Sequence, residues 1–161
     1  MTVPPASSKP PPAASVDVDS IDAIVSALYS AVSFEEGLPD WDRFRSLFHA
    51  EAVMVRIDPD QAGGPLLSTD VEAYIARIRA AIDSGAVQGF VERELTRRTE
   101  VFGDVAQVFS TYVRSAEAGQ VRRGINSMAL VKDGLRWWMV SLSWTDETDA
   151  CVLPTRYLPR S

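Results

Sequence analysis

The sequence predicts an α+β fold: three N-terminal helices packed on one face of a strongly curved, mainly antiparallel sheet. Three observations carry this. Apolar residues recur at helical spacing in three segments of the first half. Alternation at every second residue dominates the second half. Gly103-Asp104 and Asp133-Gly134 then mark two tight hairpins between long strands.

From Ser20 onward, Ile21, Ile24, Val25, Leu28, Tyr29 and Val32 form one apolar stripe. Ser20 or Asp19 can cap this helix, and Gly37-Leu38-Pro39 ends it. A second helix starts at Asp40, with Trp41, Phe44, Leu47 and Phe48 buried and His49 at its C-terminal end. The stretch EAVMVRID alternates as a strand should, and PDQAGGP reads as a loop. Thr69 to Glu72, TDVE, matches a capping box that opens a third helix, closed by Gly85. Four antiparallel strands complete the domain.

Composition narrows the function. The net charge of -6 argues against nucleic acid, because phosphate binding needs clustered cations. No apolar run approaches the roughly 18 residues of a membrane span. Residues 1–17 are rich in Pro, Ala and Ser and lack the apolar segment of a secretory signal. They read as a disordered leader that contributes nothing to the fold, so the protein is expected in the cytoplasm. Residues 18–146 then form one domain, and residues 147–161 an extended tail. Cys151 stands alone in that tail, and His49 is the single histidine. One histidine without a ligand cluster is no coordination set, and no Gly-rich phosphate loop occurs, so no metal or cofactor is expected.

Two-residue turns set the expected register. In the second hairpin Lys132 faces Leu135, Met128 faces Met139 and Asn126 faces Ser141. In the first, Leu95 faces Tyr112, Arg97 faces Ser110 and Arg93 faces Arg114. A bulge in either strand would invert these faces beyond it.

The segments DWDRFRSLFHAEAVM, GFVEREL with RRTEVFGDVAQVFSTY, and RRGINSMALVKDGLRWWMVSLSW resemble the nuclear transport factor 2-like superfamily over about residues 19 to 146. The resemblance implies a cone or half-barrel whose helices close the sheet over a pocket. It spans isomerases, dehydratases, epoxide hydrolases, polyketide cyclases and protein-binding modules, so it names no reaction. No catalytic motif of those enzymes can be placed on this chain. The resemblance also implies a homodimer through the outer sheet face.

The pocket candidates follow from the register. Tyr29 on the first helix and Arg97, Tyr112 and Asn126 on the sheet would converge above Met128, Trp137, Met139 and Ser141. Tyr29 is equally readable as a core tyrosine, and the methionines and Trp137 as core. A buried Arg97 would call for an acidic ligand, water or a carboxylate. The nearest carboxylates, Glu94 and Asp42, have no clear inward direction. The face opposite Arg97 would carry Ile125, Trp138, Val140, Leu142 and Trp144, an apolar patch to be covered by a second copy or by the tail. Two functions remain open: a protein that binds a small hydrophobic or acidic molecule, with or without moving a proton on it, or a dimeric association module with a vestigial pocket.

Overall fold

The computed structural model describes residues 9–56, 66–116 and 120–160. The predicted PDQAGGP loop and the first eight residues lie outside them. In chain order come α1 (Ser15–Val18), α2 (Ile21–Val32), α3 (Trp41–Leu47), β1 (Phe48–Arg56), β2 (Leu67–Thr69), α4 (Val71–Asp83), β3 (Phe90–Phe102), β4 (Val105–Ala116), β5 (Gln120–Asp133) and β6 (Arg136–Asp146). A 3₁₀ turn at Thr155–Tyr157 lies in the tail.

Each long helix starts where a short polar side chain satisfies a free amide. Ser20 accepts from Ala23 N at 3.1 Å, and Asp40 from Arg43 N at 3.1 Å. Asp70, not Thr69, caps α4 by accepting from Ala73 N at 2.7 Å, one residue later than the capping-box reading. The second helix also ends earlier than expected. Phe48 is already extended and pairs with Met139 of β6, so His49 lies exposed on β1 rather than at a helix terminus.

The leader folds at its end. Ala14 starts the single turn α1, and Asp17 takes a two-pronged bond from Arg43, Nε and Nη2 each at 2.8 Å. Apolar spacing could not show this, because the turn is held by an ion pair with a helix 26 residues away. Arg43 stays about a third exposed, so solvent screens the pair. Asp17→Ala should therefore cost about 1–2 kcal/mol, and a chain starting at Val18 should melt a few degrees lower. An unchanged melting temperature would return these residues to the status of an inert leader.

The six strands form one sheet in the order β2-β1-β6-β5-β4-β3, antiparallel except for the β1–β6 pair. This corrects the expected cone. The sheet is neither closed nor strongly curled, because its edge strands β2 and β3 do not meet. β2 is only three residues long and leads directly into α4, while Phe34 takes the start of the β3 edge through reciprocal backbone bonds with Phe90. The core lies between helices and sheet, with Ile24, Leu28, Phe44 and Leu47 against Val108, Met128, Leu130 and Met139.

Two one-residue bulges decide what faces that core. In β3 the register shifts at Leu95, so Glu94 rather than Leu95 faces Tyr112, and Glu92 rather than Arg93 faces Arg114. The expected Arg93–Arg114 opposition does not exist. In β6 the register shifts at Val140. The hairpin turn is Gly134-Leu135, with Gly134 at a φ of 60°, so Asp133 pairs with Arg136. Near the turn this moves the register by two residues and preserves the faces. Beyond Val140 the faces invert: Met128 pairs with Leu142 and Asn126 with Trp144. Leu142, Trp144 and Asp146 therefore turn toward the helices, and Ser141 turns away.

Candidate active site

Between α2, α4 and the far ends of β3 to β6 lies a cavity of 230 Å³. Its apolar walls include Leu28, Val32, Phe34, Phe90, Ile78, Leu142 and Trp144. Its polar lining includes Glu92, Asn126, Tyr74, Arg56, Arg77, Arg114 and Asp146. This is more room than the ~150 Å³ that admits benzene in an engineered cavity.

The carboxylate on this wall is Glu92, not the Glu94 or Asp42 that the sequence offered. It keeps some accessible surface because it lines the cavity, yet protein surrounds it on nearly every side. Burial pushes its carboxyl up to about 7. The Asn126 amide, donating at 2.9 Å, and the Arg114 charge pull the other way but do not outweigh it. A carboxylate poised near neutrality can both take and return a proton.

Behind Glu92 a directed chain of hydrogen bonds holds Asn126 in place. The same amide nitrogen donates to the Tyr29 hydroxyl at 3.2 Å. Ser110 gives its proton to Glu94 at 2.6 Å, so at the 2.7 Å contact between Tyr29 and Ser110 the phenol is the donor. Tyr29 therefore points its proton away from the cavity and does not line it. Arg97 ends the chain, bound to Glu94 at 2.8 Å and to Asp22 at 3.0 Å. It meets carboxylates rather than a ligand. Ser33, receiving no part in this chain, ties α2 to β3 by donating to Glu92 O and accepting from its amide.

A second cluster closes the far wall. Asp146 accepts from Tyr112 at 2.7 Å and from two nitrogens of Arg114, with Arg122 at 3.6 Å. Burial pushes the Asp146 carboxyl up, but the bonds from Arg114 and Tyr112 outweigh it and hold the group below the usual range. Gly124 is required here. A Cβ on it would lie 2.3 Å from both the Tyr112 hydroxyl and the Thr145 carbonyl oxygen.

Of the expected pocket residues, Asn126 alone lines the cavity. Tyr29 and Tyr112 sit one layer behind it, Met128, Trp137 and Met139 are core, and Ser141 is on the other face. From the expected interface, Leu142 and Trp144 have moved into the cavity wall. Trp138 stays outside, with the Arg136 guanidinium 3.2 Å above its ring and His49 edge-on at 6.0 Å. Ile125 and Val140 remain half-buried there.

Tyr74 on α4 also reaches this cavity. Its ring stacks on Phe44 at 5.5 Å and meets Trp41 and Trp144 edge-on. Its hydroxyl lines the cavity and has no acceptor among the described residues. Burial, then the Glu92 charge, raises its pKa, so it stays a proton donor. Among those residues no group of three or more His, Cys, Asp or Glu could hold a metal ion, and no helix is long and apolar enough to cross a membrane.

No protein-family model and no curated protein matches this chain. Solved structures do. A nuclear transport factor 2-like protein of unassigned function from Pseudomonas putida KT2440 superposes with a TM-score of 0.61 at 14 % identity, over 80 % of this chain and 85 % of the other. The fold is that of the nuclear transport factor 2-like proteins. Others with this fold are a hexachlorocyclohexane dehydrochlorinase of type LinA-type3 from Novosphingobium barchaimii LL02 (TM-score 0.60, 10 % identity, 80 % and 84 % covered) and a provisionally named dehydratase from Streptomyces avermitilis (0.57, 18 %, 82 % and 96 %). At such identities the nuclear transport factor 2-like likeness extends to the fold and not to a reaction.

Proposed function

We propose that the cavity binds a small apolar molecule and that Glu92 takes a proton from carbon on it, in chemistry of the isomerase or dehydratase type. The observation that carries this reading is Glu92 itself: a carboxyl near neutrality, backed by Asn126, on the wall of an apolar cavity. The proton leaves a carbon next to a carbonyl for the Glu92 carboxylate, and the C–H electron pair moves onto the carbonyl oxygen. Tyr74 donates a hydrogen bond to that developing oxyanion. On a β,γ-unsaturated carbonyl compound, return of that proton from Glu92 to the γ-carbon completes an isomerisation; on a β-hydroxy carbonyl compound, Glu92 gives the proton to the hydroxyl, which leaves as water and completes a dehydration. That two proteins with this fold carry enzyme names supports a general enzymatic or ligand-binding role, without choosing the reaction.

The test is deuterium exchange at the α-carbons of small cyclic ketones, followed by NMR in heavy water. Wild type should accelerate it, and Glu92→Gln should lose about 10²- to 10⁴-fold of that acceleration. Equal exchange by both proteins, with Glu92 titrating in the ordinary carboxylate range, would leave a cavity without catalysis.

We also propose self-association through the outer sheet face, as a property separate from the chemistry. The supporting observation is apolar surface that the tail leaves open: the paired Phe102 and Val105 on that face are both more than half exposed. The tail meets this face at Phe109, through Tyr157 stacked at 5.7 Å, at Thr111, which donates to Tyr157 O, and at Arg98, which donates to Arg156 O. Sedimentation at micromolar concentration should find a dimer, and a Trp138→Glu, Val105→Glu protein a monomer. A wild-type monomer under those conditions removes the proposal.

A further inference from the structure

We propose that the cavity selects an acid: a monocyclic apolar body carrying one carboxylate, held by Arg77 with Arg56 beside it. This deepens the proposed function and rests on the same cavity being a small-molecule site.

The inference starts from charge. Three guanidiniums line the cavity, on β1, α4 and β4, against two carboxylates, Glu92 and Asp146. Arg114 is neutralised by Asp146, and Arg122 approaches the same carboxylate. Glu92 is occupied by Asn126 and is half protonated near pH 7. Arg56 and Arg77 remain, with no acidic partner among the described residues. All three cations line the same cavity as Tyr74 and Glu92, so these groups share one space.

Arg77 carries the assignment furthest. Its guanidinium lies 5.7 Å from the Tyr74 ring centroid, and its Nε is buried without a hydrogen-bond partner. Only Trp41 Nε1 shares that condition among the described side chains. A buried guanidinium N–H left unpaired costs free energy, which a small shift of the side chain onto an acceptor in the cavity would recover. A carboxylate suits it, because the planar fork of Arg presents paired donors to two oxygens. The rest of the site sets the body of the ligand. Leu28, Val32, Ile78, Leu142 and Trp144 offer apolar contact, and 230 Å³ accommodates one ring with a short side chain. Arg97, which the sequence alone would choose as the anion receptor, is already bound to Glu94 and Asp22.

The experiment compares phenylacetate and cyclohexylacetate with phenylacetamide and cyclohexylacetamide by calorimetry on wild type, Arg77→Met and Glu92→Gln. On wild type the acids should bind about tenfold or more tighter than the amides. Arg77→Met should reduce acid affinity to the level of the amides while leaving amide binding unchanged, which also reports that the variant is folded. Glu92→Gln should retain the acid preference while losing proton exchange. Amides binding as well as acids on wild type, or Arg77→Met weakening both classes alike, overturns the anion assignment and leaves the cavity as a neutral site. Failure of both classes to bind wild type removes the cavity as a ligand site and the proton-transfer reading with it.

Discussion

At pH 8 the Glu92→Gln protein is expected to melt several degrees above wild type, although it loses the proposed chemistry. The folded protein holds the Glu92 carboxyl near 7 against an ordinary value of 4.5. Between those values the folded state binds more protons at this site than the unfolded chain, so stability falls as pH rises. Below 4.5 the carboxyl is neutral in both states and contributes no penalty. Above 7 the full penalty applies, roughly 3 kcal/mol by the linkage relation. Gln keeps an acceptor for the Asn126 amide and carries no charge, so the variant should gain about that much above neutrality and coincide with wild type in acid. Melting curves from pH 4 to pH 9 check this. Parallel curves for the two proteins across that range would mean that Glu92 titrates as an ordinary carboxylate. A stabilising substitution that removes activity is the usual signature of a functional group held at a cost.

Asp146→Ala should have the largest effect in the opposite direction, a loss of about 3–5 kcal/mol. Asp146 is 5 % exposed and is the acceptor for Tyr112 and for both arms of Arg114. Removing it leaves a buried phenol without an acceptor and a guanidinium without its counter-charge. Asp146→Asn retains one acceptor and should lose less. The variant also makes a coupled prediction about the cavity. Asp146 helps raise the Glu92 pKa and Arg114 lowers it, so an unneutralised Arg114 should bring Glu92 back toward the ordinary range. Urea unfolding reads the first effect, and NMR titration of the Glu92 carboxyl reads the second. A loss under about 1 kcal/mol would show that water replaces Asp146 without difficulty.

The helices were legible because their signals are local. Ser20, Asp40 and the apolar stripes behind them need nothing from the rest of the chain. Asn126, Met128 and Leu130 could also be assigned to the inner face, since β5 itself carries no bulge against β4 and keeps its alternation. Tyr29 and Arg97 were expected in the pocket, but they lie in the hydrogen-bond chain behind Asn126, where each is occupied by protein partners. Glu92 and Trp144 could not be read at all. Their faces depend on whether Leu95 and Val140 are paired or bulged, and neither residue carries a mark of it.

By itself the sequence determined the α+β class, three of the helices and the places of the two hairpins, because hydrophobic period, caps and turn residues act over a few positions; the turn α1 and the short strand β2 carry no such local mark. The tertiary structure alone decided that the sheet stays open and that Glu92, Tyr74, Arg77 and Asp146 meet around one cavity. The physical reason is the two-residue period of a strand. One unpaired residue turns every later side chain to the opposite face, and whether that residue is tolerated depends on the packing of helices and neighbouring strands distant in the chain.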